Sequence, residues 1–348
     1  MKTLVITDLH LNTKIHGLLD AQIECLDRIF SSEIPDEIII MGDIFMSRRP
    51  NPSVLLGLKR LLDKFSWIDF QILRGNHDSE TKADDGVTAL SLYDRTGSNA
   101  YKSKSVTIHT HTYIDDKNKR VFIPHYENEE HIVTALRNAP KGYRIFGHFG
   151  YFGSINSAGD ADFTIALNEF RNTCMLGHIH RFTCRRFEVE GEEHTLTCLG
   201  TPYTTNFTEA GKDSYYAVIE DGVVSHKVVK HGPRHLCVEY NKSEWWDDLL
   251  TNSDYFNIVR VYVDKLSDSD NSLLAQDLLD KYPISCLEIK YKPIFDEEAE
   301  NYYNPQTNPF ELTRDILEDY VNYSSADLDK EKLLKGLDLI NENKKSDN

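Results

Sequence analysis

The sequence contains no apolar run that approaches the roughly 18 residues a membrane-spanning helix needs. It has no internal repeat of fixed period and no low-complexity tract, which sets aside solenoids and disordered linker proteins. Its six cysteines (Cys25, Cys174, Cys184, Cys198, Cys237 and Cys286) include no CxxC pair. In a chain of 348 residues such scattered cysteines read as reduced core thiols, not as a disulfide frame or a zinc knuckle. No signal-peptide pattern precedes the strand-like start MKTLVITDLH, so an intracellular, cytoplasmic protein without membrane association is expected. An excess of basic residues is also missing. The net charge is −17, which excludes a protein coated in basic patches. That charge is uneven: residues 236–303 carry 15 acids and 6 bases, whereas residues 1–235 carry 31 acids and 27 bases. The first two thirds are close to neutral, and an anionic substrate is not excluded there.

What is present is a repeated theme. Up to about residue 200, β-rich apolar runs are each followed by a polar cluster of Gly, Asp and His. The runs are TLVIT (3–7), EIIIM (37–41), FQILR (70–74), YRIF (143–146) and TCML (173–176). Between them, stretches such as 17–30 and 53–65 repeat apolar residues at helical spacing. Short, largely apolar strands alternating with helices predict an α/β sandwich with buried sheets. From 183 to 230 the pattern becomes strand–turn–strand, with VEGEEH and IEDGVV as hairpin turns. A Gly-Pro break is expected within HGPRHL (231–236), followed by a small α+β unit reading β–α–β–α–β over 236–295. A polar linker (296–309) then leads to two amphipathic helices in 310–348.

Five clusters carry the chemistry: Asp8-Leu9-His10, Gly42-Asp43, Gly75-Asn76-His77-Asp78, Gly147-His148 and Gly177-His178-Ile179-His180. Each follows a strand, so mostly parallel sheets would gather them at one edge, where open α/β folds place ligands. Hard oxygen donors (Asp8, Asp43, Asn76) mixed with imidazoles (His10, His148, His178, His180) suit Mn²⁺, Fe²⁺ or Zn²⁺ better than Ca²⁺. A shared carboxylate can bridge two ions about 3.5–4 Å apart, the spacing that stabilises both oxygens of an in-line displacement. Alone, an Asp-x-His or a Gly-Asp means little, because acids commonly cap helices after strands. All five in this order are hard to attribute to chance.

Taken in that order, the five clusters resemble the calcineurin-like metallophosphoesterase signature over roughly residues 1–230. The resemblance implies one metal held by Asp8, His10, Asp43 and His180, and a second held by bridging Asp43 with Asn76, His148 and His178. His77 would be the catalytic histidine and Asp78 its orienting carboxylate. A metal-held water, its pKa lowered to about 7, would be the nucleophile. The stretches GDIFMSRRPNPS (42–53) and LGTPYTTNFTEAGKDSYYAVIEDG (199–222) further resemble the SbcD-type DNA repair nucleases and related phage recombination nuclease subunits. The layout that this implies is a metallophosphoesterase domain (1–235) built as a two-sheet α/β sandwich, a small α+β cap (236–295), the linker, and a helical partner-binding tail (310–348). Its implied activity is a two-metal DNA exo/endonuclease, with Mn²⁺ expected and Mg²⁺ or Fe²⁺ as alternatives. The implied partner is an SbcC-like coiled-coil ATPase in a bacterial cell or phage-infected host, and helices near 53–65 and 85–95 would form a homodimer. The competing readings are a phosphoesterase for small nucleotides or phosphoproteins, and a silent DNA-end-binding scaffold.

Departures and secondary features complete the picture. Met46 stands where relatives often carry a polar or ionisable residue, and the cap is acidic. DNA contact would rest on Arg48 and Arg49 beside the second motif, with Arg74, Lys102, Lys104, Arg185 and Arg186 as other basic positions. Trp245 and Trp246 fit an amphipathic cap helix. His125 is expected to be a strand-end histidine with a hydrogen-bond partner, and His109 and His111 to be structural. In the tail, Phe310, Leu312, Ile316, Leu317, Tyr320 and Val321 form one apolar stripe, and Leu328, Leu333, Leu334, Leu337 and Ile340 another. A helix pair behind a linker cannot bury both stripes by itself, so it either folds back on its own domain or docks into a partner groove; the resemblance to the SbcD-type layout implies the partner groove.

Overall fold

The structure is a computed structural model, and it describes residues 1–95, 105–156, 163–240, 254–264 and 268–291. The chain divides into two units, Met1–Lys292 and Pro293–Asn348, and all described residues belong to the first. The expected tail helices, Trp245, Trp246, Lys102 and Lys104 lie outside the described residues.

The first sheet has at its centre the parallel strands β1 (Lys2–Ile6), β2 (Glu37–Ile40), β3 (Asp69–Leu73) and β4 (Val106–His109). The antiparallel hairpin of β11 (Ser214–Glu220) and β12 (Val223–Val229) extends it beyond β1. The second sheet runs β5-β6-β7-β8-β10-β9. In it, β6 (Arg120–Ile123), β7 (Arg144–His148), β8 (Cys174–Gly177) and β10 (Glu192–Cys198) are parallel, and the edge strands β5 (Tyr113–Asp115) and β9 (Thr183–Val189) are antiparallel. The hairpin turns expected at VEGEEH and IEDGVV close β9–β10 and β11–β12, with Glu190-Gly191 and Asp221-Gly222 in left-handed backbone.

Side-chain alternation explains the layering. Leu4 and Ile6 of β1, with Ile38 and Ile40 of β2, face α1 (Leu18–Glu33) and α2 (Pro52–Lys64), while Val5, Ile39 and Met41 face the second sheet. Phe122, Phe146 and Met175 meet them from the other side, and α3 (Glu129–Asn138) covers the outer face through Ile132 and Leu136. Both α2 and α3 start where asparagine caps are available. The Asn51 side chain accepts from the Ser53 amide at 2.9 Å with Pro52 in the first turn, and Asn128 accepts from the Glu130 amide at 3.1 Å.

A third, parallel sheet contains β13 (Gly232–Glu239), β14 (Tyr255–Val263) and β15 (Ile284–Tyr291), packed on α4 (Asp268–Lys281). Strand β13 begins at Gly232 and passes through Pro233, so the expected break at 231–236 is already strand. Glycine is needed there because φ is +91° and a side chain would run into Cys25. The helix anticipated near 85–95 is only a short 3-10 turn, Ala89–Tyr93. Of the cysteines, Cys25, Cys174 and Cys198 are buried thiols as expected, whereas Cys184 and Cys237 lie at the surface.

Candidate metal centre

The parallel strands deliver their C-terminal ends to one edge, and the five clusters lie there. Beyond β1 and β2 the backbone stays paired: the Asp8 amide donates to the Gly42 carbonyl (3.0 Å), His10 to Asp43 (2.9 Å) and Leu11 to Ile44 (2.8 Å). The loops 8–11 and 42–45 thus continue the sheet register. Four residues on these strand ends adopt left-handed backbone without being glycine: Asp8 (φ +54°), His10 (+43°), Asp43 (+50°) and His178 (+75°). Each such residue costs about 1–3 kcal/mol and persists only when its surroundings hold it.

Those surroundings are visible. Asp8 accepts from the Thr7 hydroxyl at 2.8 Å and from the His178 amide at 3.0 Å. Asp43 accepts from the His77 amide at 2.9 Å. His148 donates from Nδ1 to the Met41 carbonyl at 2.6 Å, tying the second sheet to the first and turning Nε2 towards Asp43 Oδ1 at 3.4 Å. Gly75 must lack a side chain, since a Cβ there would collide with the Asp43 carboxylate and amide.

The donor atoms converge in two groups. His10 Nε2 lies 3.0 Å from His180 Nε2, and it lies 3.8 Å from Asp8 and 3.7 Å from Asp43. His180 Nε2 is 3.7 Å from Asp8 Oδ1. Asn76 Oδ1 sits between His148 Nε2 and His178 Nδ1, 3.1 Å from each. Asp43 lies between the groups. Two imidazole nitrogens face each other across 3.0 Å beside two carboxylates, a donor set that a divalent cation satisfies. Three overlapping groups of these side chains, Asp8 with His10 and His180, His10 with Asp43 and His77, and Asp8 with Asp43 and His148, have donor atoms close enough to hold a divalent cation.

Electrostatics agree with a cation site. Burial raises Asp8 above the usual carboxylate value, against the pull of His148 and His180. Burial also opposes ionisation of Asp43, but the surrounding imidazoles of His148, His10 and His77 outweigh it and hold Asp43 well below the usual range. Burial pushes His10 well down. His148 is lifted to about 9 because Asp43 and Asp8 outweigh its desolvation. A cation held among these carboxylates and imidazoles would compete with protons for the same donor atoms.

Three findings differ from the sequence-based expectation. Asp78 does not touch His77: its carboxylate accepts from the Ile44, Phe45 and Gly75 amides at 3.3, 3.0 and 2.9 Å. His77 Nδ1 instead meets the backbone carbonyl of Met46 at 2.9 Å, so position 46 serves the site through its main chain. Asp78 instead fixes the loop that presents that carbonyl. His125 is buried beside the site, its ring 6.3 Å from those of both His148 and His178; its carbonyl accepts from Arg74 at 2.6 Å, but neither ring nitrogen has a hydrogen bond. Arg74 is 1% exposed and so is no surface contact. Of the two arginines favoured for DNA, Arg48 pairs with Glu127 at 3.0 Å and Arg49 is exposed. His109 is structural as expected, stacked on Phe122 and bonded to Gln71 at 2.8 Å.

One residue at the site was not anticipated. Glu209 accepts from His180 Nδ1 at 2.6 Å, and burial of its carboxyl is outweighed by that imidazole, which lowers its pKa. A larger cleft of 740 Å³ lies at the opposite edge, among Glu37 and Asp69, which open β2 and β3, and His109 and Asp115; it includes none of the metal-site residues.

Known proteins share parts of this chain. Residues 1–182 match the family model described as calcineurin-like phosphoesterase. The chain is 25% identical over 254 residues to the SbcD component of the nuclease SbcCD from Staphylococcus saprophyticus, a match that spans 63% of this chain and 65% of that relative. Solved structures similar to it include the Pseudomonas putida nuclease MPE (TM-score 0.31, 15% identity, 65% of this chain and 87% of that one). An archaeal phosphodiesterase is similar at TM-score 0.34 and 13% identity, over 66% of this chain and 99% of that one.

Proposed function

The chain belongs to the calcineurin-like phosphoesterase family, and from that premise we propose that it is a two-metal phosphodiesterase that cleaves DNA, both as an exonuclease and as an endonuclease. The observation that carries this reading is the gathering of Asp8, His10, Asp43, Asn76, His77, His148, His178 and His180 at one sheet edge, with donor atoms of several of them close enough to share a cation. Asp8, His10, Asp43 and His180 would hold one ion, and Asp43, Asn76, His148 and His178 the other; the mixed oxygen and nitrogen donors favour Mn²⁺. When bound, the two cations activate a water and neutralise charge on the phosphoryl oxygens.

The remaining chemistry belongs to the chain. His77, held through Nδ1 by the Met46 carbonyl, keeps Nε2 for a proton to the leaving oxygen, a step typically worth about 10²–10⁴-fold. Asp78 fixes the loop that orients it, and Glu209 pins the proton of His180 on Nδ1 so that Nε2 serves as ligand. Arg49, with Arg48 at its side, contacts the DNA backbone. Following the relative at 25% identity, which is named as one component of SbcCD, an SbcC-like ATPase is the partner, bound by the apolar stripes of residues 310–348. The assembly is a homodimer acting in DNA repair or recombination.

The test uses the purified chain, with and without the ATPase, on linear double-stranded DNA, single-stranded DNA and a chromogenic phosphodiester, in Mn²⁺, Mg²⁺ or EDTA. Cleavage of DNA in Mn²⁺ that is lost in EDTA and in His77→Ala is expected. Hydrolysis of the chromogenic diester without any DNA cleavage, even with the ATPase present, refutes the DNA reading.

A further inference from the structure

A groove of 470 Å³ opens beside His180, and its walls include Glu209, Arg181, Phe182, Lys212 and Tyr215. Its volume lies within the range of small-molecule sites. The rings of Phe182 and Tyr215 stack with centroids 4.4 Å apart at 27°. His226 packs against Phe182 at 5.0 Å and 65°, bracing the pair. Both rings are only partly buried. Phe182 follows His180 by two residues, so the aromatic wall is joined to a metal ligand by very little chain. Arg181 and Lys212 are exposed, and Lys212 Nζ is steadied by the Thr208 carbonyl at 2.7 Å.

We propose that this groove is a nucleobase subsite: the base of the nucleotide next to the scissile phosphodiester stacks on the Phe182–Tyr215 wall, with Arg181 and Lys212 meeting the adjoining phosphate. The inference rests on the phosphodiesterase reading above. A half-buried aromatic pair that lines a cleft contiguous with a phosphoester-hydrolysing centre offers a π-face where a base must lie, and stacking accepts any base because every base has such a face. The cations fit the backbone charge, which base stacking alone would leave unmet.

The experiment uses the full chain in Mn²⁺ with two chromogenic diesters that share a leaving group: thymidine 5′-(p-nitrophenyl phosphate), which carries a base, and methyl p-nitrophenyl phosphate, which does not. Tyr215→Leu keeps apolar volume and removes the ring; Tyr215→Phe restores the ring. For Tyr215→Leu, KM for the thymidine ester is expected to rise about fivefold or more, from the usual worth of one stacked base, while kcat/KM for the methyl ester stays at the parent value. Thymidine monophosphate should inhibit this variant more weakly than the parent by the same factor, and Tyr215→Phe should recover both. Equal effects on the two esters, or no effect on either, overturn the subsite and leave the phosphodiesterase reading standing. Failure of the parent chain to hydrolyse either ester overturns both.

Discussion

Replacing Glu209 with Gln tests whether the metal centre depends on a carboxylate outside its own ligand set. Glu209 is 5% exposed, and one oxygen accepts from His180 Nδ1 at 2.6 Å. The same carboxylate accepts from the Thr205 amide at 2.7 Å, the Thr205 hydroxyl at 2.9 Å and the Asn206 side-chain amide at 3.0 Å. All these partners are donors, so a glutamine, with one oxygen and one NH₂, must set a donor against a donor somewhere. It also withdraws the negative charge that makes the imidazole more basic. Loss of such a partner typically weakens metal binding about 10–100-fold, or about 1.4–2.7 kcal/mol. The measurement is calorimetric titration of EDTA-stripped protein with Mn²⁺. Asn206→Ser serves as control, because it removes the Asn206 bond to Glu209 and keeps a capping oxygen for the Thr208 amide without reaching His180, and its affinity should stay near the parent's. If Glu209→Gln binds Mn²⁺ as tightly as the parent and only unfolds more easily, Glu209 merely props its loop and the reasoning fails.

Other outcomes follow from the same geometry. Gly75→Ala forces a methyl group onto the Asp43 carboxylate; Mn²⁺ binding and hydrolysis should both collapse while circular dichroism keeps the parent spectrum. His77→Asn should slow phosphodiester cleavage about 10²–10⁴-fold yet leave the Mn²⁺ titration unchanged; a matching loss of affinity would make His77 a ligand. Burial opposes ionisation of Glu33, but Lys227, Tyr216 and Lys2 outweigh it and hold its carboxyl at about 2 against the usual 4.5. Its folded pKa being depressed, its stabilisation is complete above 4.5 and lost as pH falls from there to about 2. Glu33→Gln should flatten that acid limb of an unfolding profile by at most about 3 kcal/mol. Deleting residues 304–348 should abolish capture by the ATPase and spare Mn²⁺ binding; retained capture would remove the tail from the interface.

What could be read from the sequence was whatever a strand end delivers. Asp8, Asp43, Asn76, His148 and His178 each follow a run whose apolar alternation marks it as strand, so their meeting at one edge follows from parallel topology alone. Glu209 escaped because nothing local marks it. It stands 29 residues from His180, and Asn206 with an acid three residues later reads as the cap of a helical turn. That is also what it is, since the Asn206 side chain accepts from the Thr208 amide at 2.8 Å. Asp78 misled for the opposite reason. Adjacency to His77 suggested a pair, but the turn sends the carboxylate inward to three amides and leaves the ring to a carbonyl from another strand end. His125 was expected to have a partner because buried polar groups usually do; its main chain has one in Arg74 and its Nε2 lies 3.9 Å from the Glu127 carboxylate, while its ring packs beside those of His148 and His178, distant in sequence.

The strained backbone explains why the site needs these supports. Four of the candidate ligand residues sit at positive φ, where glycine would relax the chain but carry no donor, so the strain is held in place by neighbours. For Asp8 and His178 the hold is mutual, through the His178 amide on the Asp8 carboxylate; for Asp43 it is Asp78, gripping the next two amides. His180 has no such brace on its own strand and depends on the loop carrying Glu209. That loop is gripped from its far side by the third sheet: the Thr204 hydroxyl accepts from the His235 amide at 2.6 Å, and the Arg260 guanidinium lies 3.9 Å over the ring of Phe207. A shift of β13 and β14 would therefore reach His180 through residues 204–209, and His10 through α1, whose Gln22 donates to the His10 carbonyl at 3.1 Å. Asp8, Asp43, His148 and His178 are fastened within the two-sheet core, so His180 and His10 are the candidate ligands that the third sheet can reach.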